Sequence, residues 1–94
     1  MSREVVVIKQ QGRRKAELFD TDKLAKSIEA ACHSVRLPQG VARDTAEHTC
    51  KAVELWLINK SEVTSDDIAR IATQTLAIVS PEAGYLYKHH DTVL

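Results

Sequence analysis

Aromatic residues make up only 4% of this 94-residue chain. That scarcity argues against a base-stacking platform, which needs several rings arrayed on a sheet face. Trp56, Tyr85 and Tyr87 fall on helical patterns instead, where packing or partner contact is their natural role. Glycine and proline are also few, at three and two, and no segment is of low complexity, so the composition is that of an ordinary helix-rich globular chain. The two cysteines, Cys32 and Cys50, cannot make a disulfide framework and read as small core thiols. A metal site built from Cys32, His33, His48 and Cys50 is disfavoured, because side chains one or two positions apart on a helix diverge. No apolar run approaches the length of a bilayer, and MSREVVVIK has no signal-peptide core, so a cytoplasmic protein with no membrane partner is expected. Neither charge is in excess: Lys plus Arg and Asp plus Glu number 13 each. Without a global field, nucleic acid is not expected as a partner, and any polyanion site must be local. There is no Walker-type GxxxxGK[ST] loop and no evident metal-binding carboxylate pair, and His89-His90-Asp91 has no nucleophile beside it, so no catalytic residue is assigned.

What is present concentrates in residues 5–24, VVVIKQQGRRKAELFDTDKL. The β-branched run VVVIK breaks at Gln10-Gln11-Gly12, and KAELF resumes with alternating polar and apolar residues, which predicts a hairpin. Lys9, Arg13, Arg14 and Lys15 cluster around that one turn. Asp20 or Thr21 can cap a helix beginning near Asp22, and Lys23 lies in its first turn. A cation there is unfavourable against the helix dipole unless an anion sits nearby, and phosphate is the obvious anion. Asp20 and Glu17 could also be read as an acid–base pair, but capping is the safer role for Asp20.

Four helices follow. Leu24, Ile28, Ala31, Cys32 and Val35 recur at helical spacing, predicting a helix over about 22–36 that Leu37-Pro38-Gln39-Gly40 ends. A second, over about 41–59, places Ala42, Ala46, Thr49, Cys50, Val53, Trp56 and Leu57 on one side. Residues 61–64 suit a very short extended piece. Thr64 with Asp67 three residues on then makes a capping-box-like start to a third helix, buried along Ile68, Ile71, Ala72, Leu76 and Val79. Ser80-Pro81 ends it and opens a fourth helix, over about 81–92, that carries Leu86, Tyr87 and His90.

In this order, these elements resemble the ATP-cone, a regulatory nucleotide-binding module known from the N-termini of ribonucleotide reductases. The matching positions are Lys9, Gly12, Arg13, Glu17, Phe19, Asp20, Lys23 and Leu24, then Val63-Thr64-Ser65 with Ile68 beyond. Gln10-Gln11 stands where the family carries Arg-Asp, and Ala69 where some members carry a larger polar side chain. The resemblance implies an α+β fold over residues 1–94, in which a small antiparallel β-sheet, the hairpin plus a short third strand, covers a four-helix bundle. It implies ATP or dATP as ligand, with Mg2+ able to accompany the nucleotide. Lys9 and Lys23 would bind phosphates, with Arg13 and Arg14 compensating for the missing arginine. The strand around Val7 to Gln10 would meet adenine through its backbone, and Leu24 would pack on the base. Glu17 and Asp20 would lie near the ribose or hold the basic residues, and Thr64 or Ser65, with Ala69, would close the pocket from the third helix.

With neither a reductase body nor a zinc ribbon in these residues, the expectation is a stand-alone cone. It would sense ATP against dATP, perform no chemistry, and change its self-association or its hold on a partner such as a ribonucleotide reductase in trans. The fourth helix, through Tyr85, Tyr87 and His90, is the candidate responsive surface. Two other readings remain open at this point. One is a helical DNA- or protein-binding module using the basic turn as a phosphate clamp, and the other is a small ATP-consuming enzyme.

Overall fold

The protein is described by a computed structural model covering residues 4–11 and 13–89, with the side chains of residues 9–11 and 13–15 outside the description. Strands β1 (Val6–Gln11) and β2 (Arg13–Leu18) pair antiparallel, with Val7 opposite Glu17 and Gln11 opposite Arg13. This is the hairpin the β-branched run predicts. A three-residue strand, β3 (Glu62–Thr64), adds to the other edge of β1, placing Val63 beside Val7 in the order β2-β1-β3. It runs parallel to β1, so the sheet is mixed and not the antiparallel sheet expected from the sequence. Connectivity explains the difference. Parallel neighbours require a crossover of a dozen or more residues, and the two helices between β2 and β3 supply it.

Helix α1 (Thr21–Ser34) starts on Asp20, whose carboxylate accepts from the N–H groups of Asp22 and Lys23 at 3.0 and 3.3 Å. It ends in a Schellman-type turn: Arg36 N–H donates to the carbonyl of His33 and Leu37 N–H to that of Cys32, each at 3.0 Å. Helix α2 (Gln39–Leu57) begins two residues before the expected start, with Pro38 at its N-cap. Gly40, read from sequence as part of a breaker, sits in the first turn. First-turn N–H groups have no intrahelical acceptor anyway, so weak helix formers are tolerated there. Helix α3 (Ser65–Val79) is capped by the Thr64 hydroxyl, which accepts from Asp67 N–H at 3.1 Å. Helix α4 (Pro81–His89) follows one extended residue, Ser80, whose hydroxyl accepts from Ala83 N–H at 3.2 Å. The expected continuation through His90 to residue 92 lies outside the described residues.

One core joins the sheet and the helices. Val5, Val7 and Val63 meet Leu24 and Ile28 of α1, Val53 of α2, and Ile68 and Leu76 of α3. Full burial of each such leucine or isoleucine contributes about 1.5–3 kcal/mol. Ala42, Ala46, Ala72 and Ala83 are also buried and let the helices approach closely. At Gly84 the approach is so close that a Cβ would lie 2.8 Å from Ala77 Cβ and 2.9 Å from its Cα.

Candidate functional site

Where β2 gives way to α1, the chain cannot leave the sheet freely. Phe19 N–H still donates to the Val5 carbonyl at 2.8 Å, and Asp20 immediately begins the helix. The sharp junction leaves a small pocket, with a cavity volume of about 20 Å³, lined by Val7, Glu17, Leu18, Phe19, Asp20, Lys23, Leu24 and Ile68. Each wall has a different origin. Val7 and Glu17 face one another across the hairpin register, Lys23 and Leu24 come from the first turn of α1, and Ile68 comes from the first turns of α3.

The pocket is apolar with a charged edge. Lys23 Nζ donates to Glu17 Oε2 at 3.3 Å, both side chains being about one-third exposed. The Asp20 carboxylate already occupies the anion position over the α1 N-terminus. An incoming phosphate therefore cannot rely on those two amides and would be drawn by side-chain cations. Thr21, on the other side of the same turn, donates its hydroxyl to Glu54 Oε2 at 3.0 Å and so ties the start of α1 to α2.

Of the residues singled out from sequence, Val7, Glu17, Asp20, Lys23 and Leu24 come together here. Lys9, Gln10 and Arg13 belong to the hairpin strands, where Lys9 is registered with Lys15 and Gln11 with Arg13, but their side chains lie outside the described residues. Thr64 ends β3 and caps α3, and Ser65 is the first residue of that helix. Ala69 lines a separate open groove with Asp66, Arg70, Thr73, Gln74 and Lys88. Sequence reasoning did not place Leu18, Phe19 or Ile68 in the site. The first two follow directly from Glu17, and Ile68 was visible as a core position and as part of the family match, but not as a wall of the site.

Elsewhere, Cys32 and Cys50 are buried while His33 and His48 are exposed, so that quartet diverges. Burial, reinforced by Glu54, pushes the Cys50 thiol up to about 11, and burial also raises Cys32, which makes both poor nucleophiles. On α3 the Arg70 guanidinium, 3.2 Å from Asp67, holds that carboxylate below its usual range, helped by hydrogen bonds from Thr64. Tyr87, expected on a responsive surface, is instead only 3% exposed. With Ala83 and Gly84 it forms the inner face of a short helix, and its ring fills space against the core. Tyr85 stays exposed, its ring 4.3 Å from that of His89. No helix among the described residues is long and apolar enough to cross a membrane.

A mixed three-stranded sheet whose hairpin opens onto a capped helix, with an apolar, charge-edged pocket at the junction, defines a small α+β domain. The chain belongs to the ATP-cone family, whose model, described as ATP cone domain, matches residues 5–92. It is also similar to the transcriptional repressor NrdR of Brucella anthropi, with 37% identity over 76 residues, covering 79% of this chain and 44% of that protein. The chain thus spans under half of that relative's length. No solved structure matches the chain at a significant level.

Proposed function

We propose that this ATP-cone binds an adenine nucleotide, ATP or dATP, at the hairpin–helix junction and acts as a regulatory sensor without chemistry of its own. The observation that carries the reading is the convergence of Val7, Glu17, Asp20, Lys23 and Leu24 on one pocket. Its apolar walls suit a base, its carboxylates suit ribose hydroxyls, and Lys23 with the basic hairpin turn suits phosphates. Glu17 would release part of its hold on Lys23 as the triphosphate arrives. Lys9, Gln10 and Arg13 would extend the site along the strands, and Thr64 or Ser65, at the start of α3, would close it beside Ile68, whereas Ala69 faces a separate groove. Mg2+ would be carried in on the phosphates, because among the described residues no group of three or more His, Cys, Asp or Glu is placed to hold a metal ion.

ATP and dATP differ by one hydroxyl. A hydrogen bond to it is worth about 1 kcal/mol, so discrimination of several-fold to tens-of-fold follows, more if a buried group is left unpaired. The output would be a change in self-association or in the hold on a partner, such as a ribonucleotide reductase in trans. The similarity to a transcriptional repressor favours a second form of output, control of transcription, and gives no support to the expectation that nucleic acid is not a partner. Calorimetric titration with ATP, dATP, GTP and dGTP tests the core of the proposal. Saturable binding restricted to the adenine nucleotides is expected. The absence of heat with all four, from folded protein at millimolar ligand, would refute it. Salt-dependent binding of duplex DNA would point to transcriptional output.

A further inference from the structure

Ser27 sits one turn beyond Lys23 and Leu24 on α1 and donates its hydroxyl to the Leu24 carbonyl at 2.7 Å. A serine has a single hydroxyl proton, so in its 3.0 Å contact with Tyr87 Oη the tyrosine must be the donor. The result is a directed chain from the α4 phenol through Ser27 to the backbone of a residue whose side chain forms the pocket wall. Tyr87 is 3% exposed, and burial holds its phenol in the protonated, donating form. If Leu24 shifts, Ser27 shifts with it. Tyr87 must then follow or lose its partner where water does not replace it, which is unfavourable. A serine bonded back to its own helix also makes that turn easier to bend.

We infer that Ser27 and Tyr87 are positioning residues that link occupancy of the junction pocket to the docking of α4, the helix that presents Tyr85 and His89 to solvent. The inference rests on the nucleotide-binding reading and adds to it the route by which that site reaches another surface. Two sites are coupled only if the connecting element responds to the ligand. Here that element is α4, which packs on α1 through the shared core and is hydrogen-bonded to it through this side-chain pair.

Amide hydrogen exchange of residues 83–89, measured with and without saturating ATP alongside calorimetry, tests the link. In the wild-type protein ATP is expected to slow exchange there by about fivefold or more, the lower end of ordinary coupling strengths. Tyr87→Phe, which keeps the ring, should bind ATP within a few-fold of wild type yet lose that slowing. Ser27→Ala, which removes the acceptor, should behave the same way and serves if the first variant folds poorly. ATP binding to the wild type with no change in α4 exchange would overturn the link and leave the binding reading intact, as would full slowing in both variants. An absence of ATP binding would remove the binding reading and the link together.

Discussion

Lys23 carries the binding reading at the level of one side chain. Its ammonium is paired with Glu17 at 3.3 Å on a partly exposed edge, so the pair itself contributes less than about 1 kcal/mol to folding. A charge-assisted contact to phosphate is stronger, and Lys23→Ala should weaken nucleotide binding by about 1.5–3 kcal/mol while the fold survives. Calorimetry on the variant checks this, and unchanged affinity in a folded protein would remove Lys23 from the site. Arg36 offers a test of the backbone alone. Its φ of 62° lies in the left-handed region at the end of α1, a conformation that disfavours side chains by about 1–2 kcal/mol. Glycine relieves that strain but loses about 0.5–1 kcal/mol of its own in chain entropy. Arg36→Gly should therefore stabilise the protein by up to about 1 kcal/mol in urea denaturation, and a lower midpoint would show that the arginine side chain outweighs its strain. Single residues whose roles are local were readable in the sequence: Asp20 and Thr64 announce themselves as caps because side-chain capping needs only a short span. The burial of Tyr87 was not, since it depends on what α1 presents sixty residues away.

Among elements, the contact between α3 and α4 is the most sharply defined. Gly84→Ala sets two effects against each other. The helix gains about 1 kcal/mol in propensity, but the new methyl would lie 2.8 Å from Ala77 Cβ and 2.9 Å from its Cα, and a backbone atom cannot swing aside. Overpacking of this kind costs about 1–3 kcal/mol. We expect net destabilisation of about 1 kcal/mol, and a variant as stable as wild type in urea would show that the helices can separate freely. The same helix sets an alkaline limit. Burial pushes the Tyr87 phenol from 10.0 to about 12, with Cys50 adding to the rise and the Ser27 hydrogen bond opposing it. Between those values the unfolded chain loses this proton and the folded protein keeps it, so the Tyr87 contribution is intact below pH 10 and is lost as pH rises toward 12, on top of the fall that the raised Cys50 thiol starts near pH 9. Tyr87→Phe should flatten that decline in a series of urea midpoints across the window, and an equally steep fall would assign it to other groups. The helices themselves were legible from apolar periodicity, and the hairpin from its β-branched run. The direction of β3 was not. Three residues carry no pattern that separates parallel from antiparallel pairing, and their partner, β1, lies more than fifty residues earlier.

At the scale of the whole molecule, the pocket is assembled from three segments distant in sequence, and this explains why only part of it could be read in advance. Residues 17–24 are contiguous and line the pocket together, whereas Ile68, though part of the family match, reaches the site only because β3 lies beside β1 and brings the start of α3 with it. That assembly also bounds the output. If the cone senses ATP against dATP as proposed, the signal must leave through a surface whose exposure depends on the ligand. Ile78, Val79 and Tyr85, around the α3–α4 turn, are 84%, 46% and 63% exposed, which replaces the buried Tyr87 in the expected responsive surface. His90 lies outside the described residues. A ligand that binds two assemblies equally shifts neither, so dATP must favour one through its differential affinity. A tenfold ratio supplies about 1.4 kcal/mol per bound nucleotide, and in a symmetric oligomer this multiplies across the subunits. We therefore expect light scattering at several protein concentrations to give different mass distributions for the ATP and dATP forms. Tyr85→Ala should blunt that difference without altering nucleotide affinity, because Tyr85 lies on the exposed face of α4 and does not line the junction pocket. Identical distributions in the apo, ATP and dATP forms would exclude self-association as the output and move it to a hetero-partner, for which binding of a ribonucleotide reductase under the same three conditions is the next measurement.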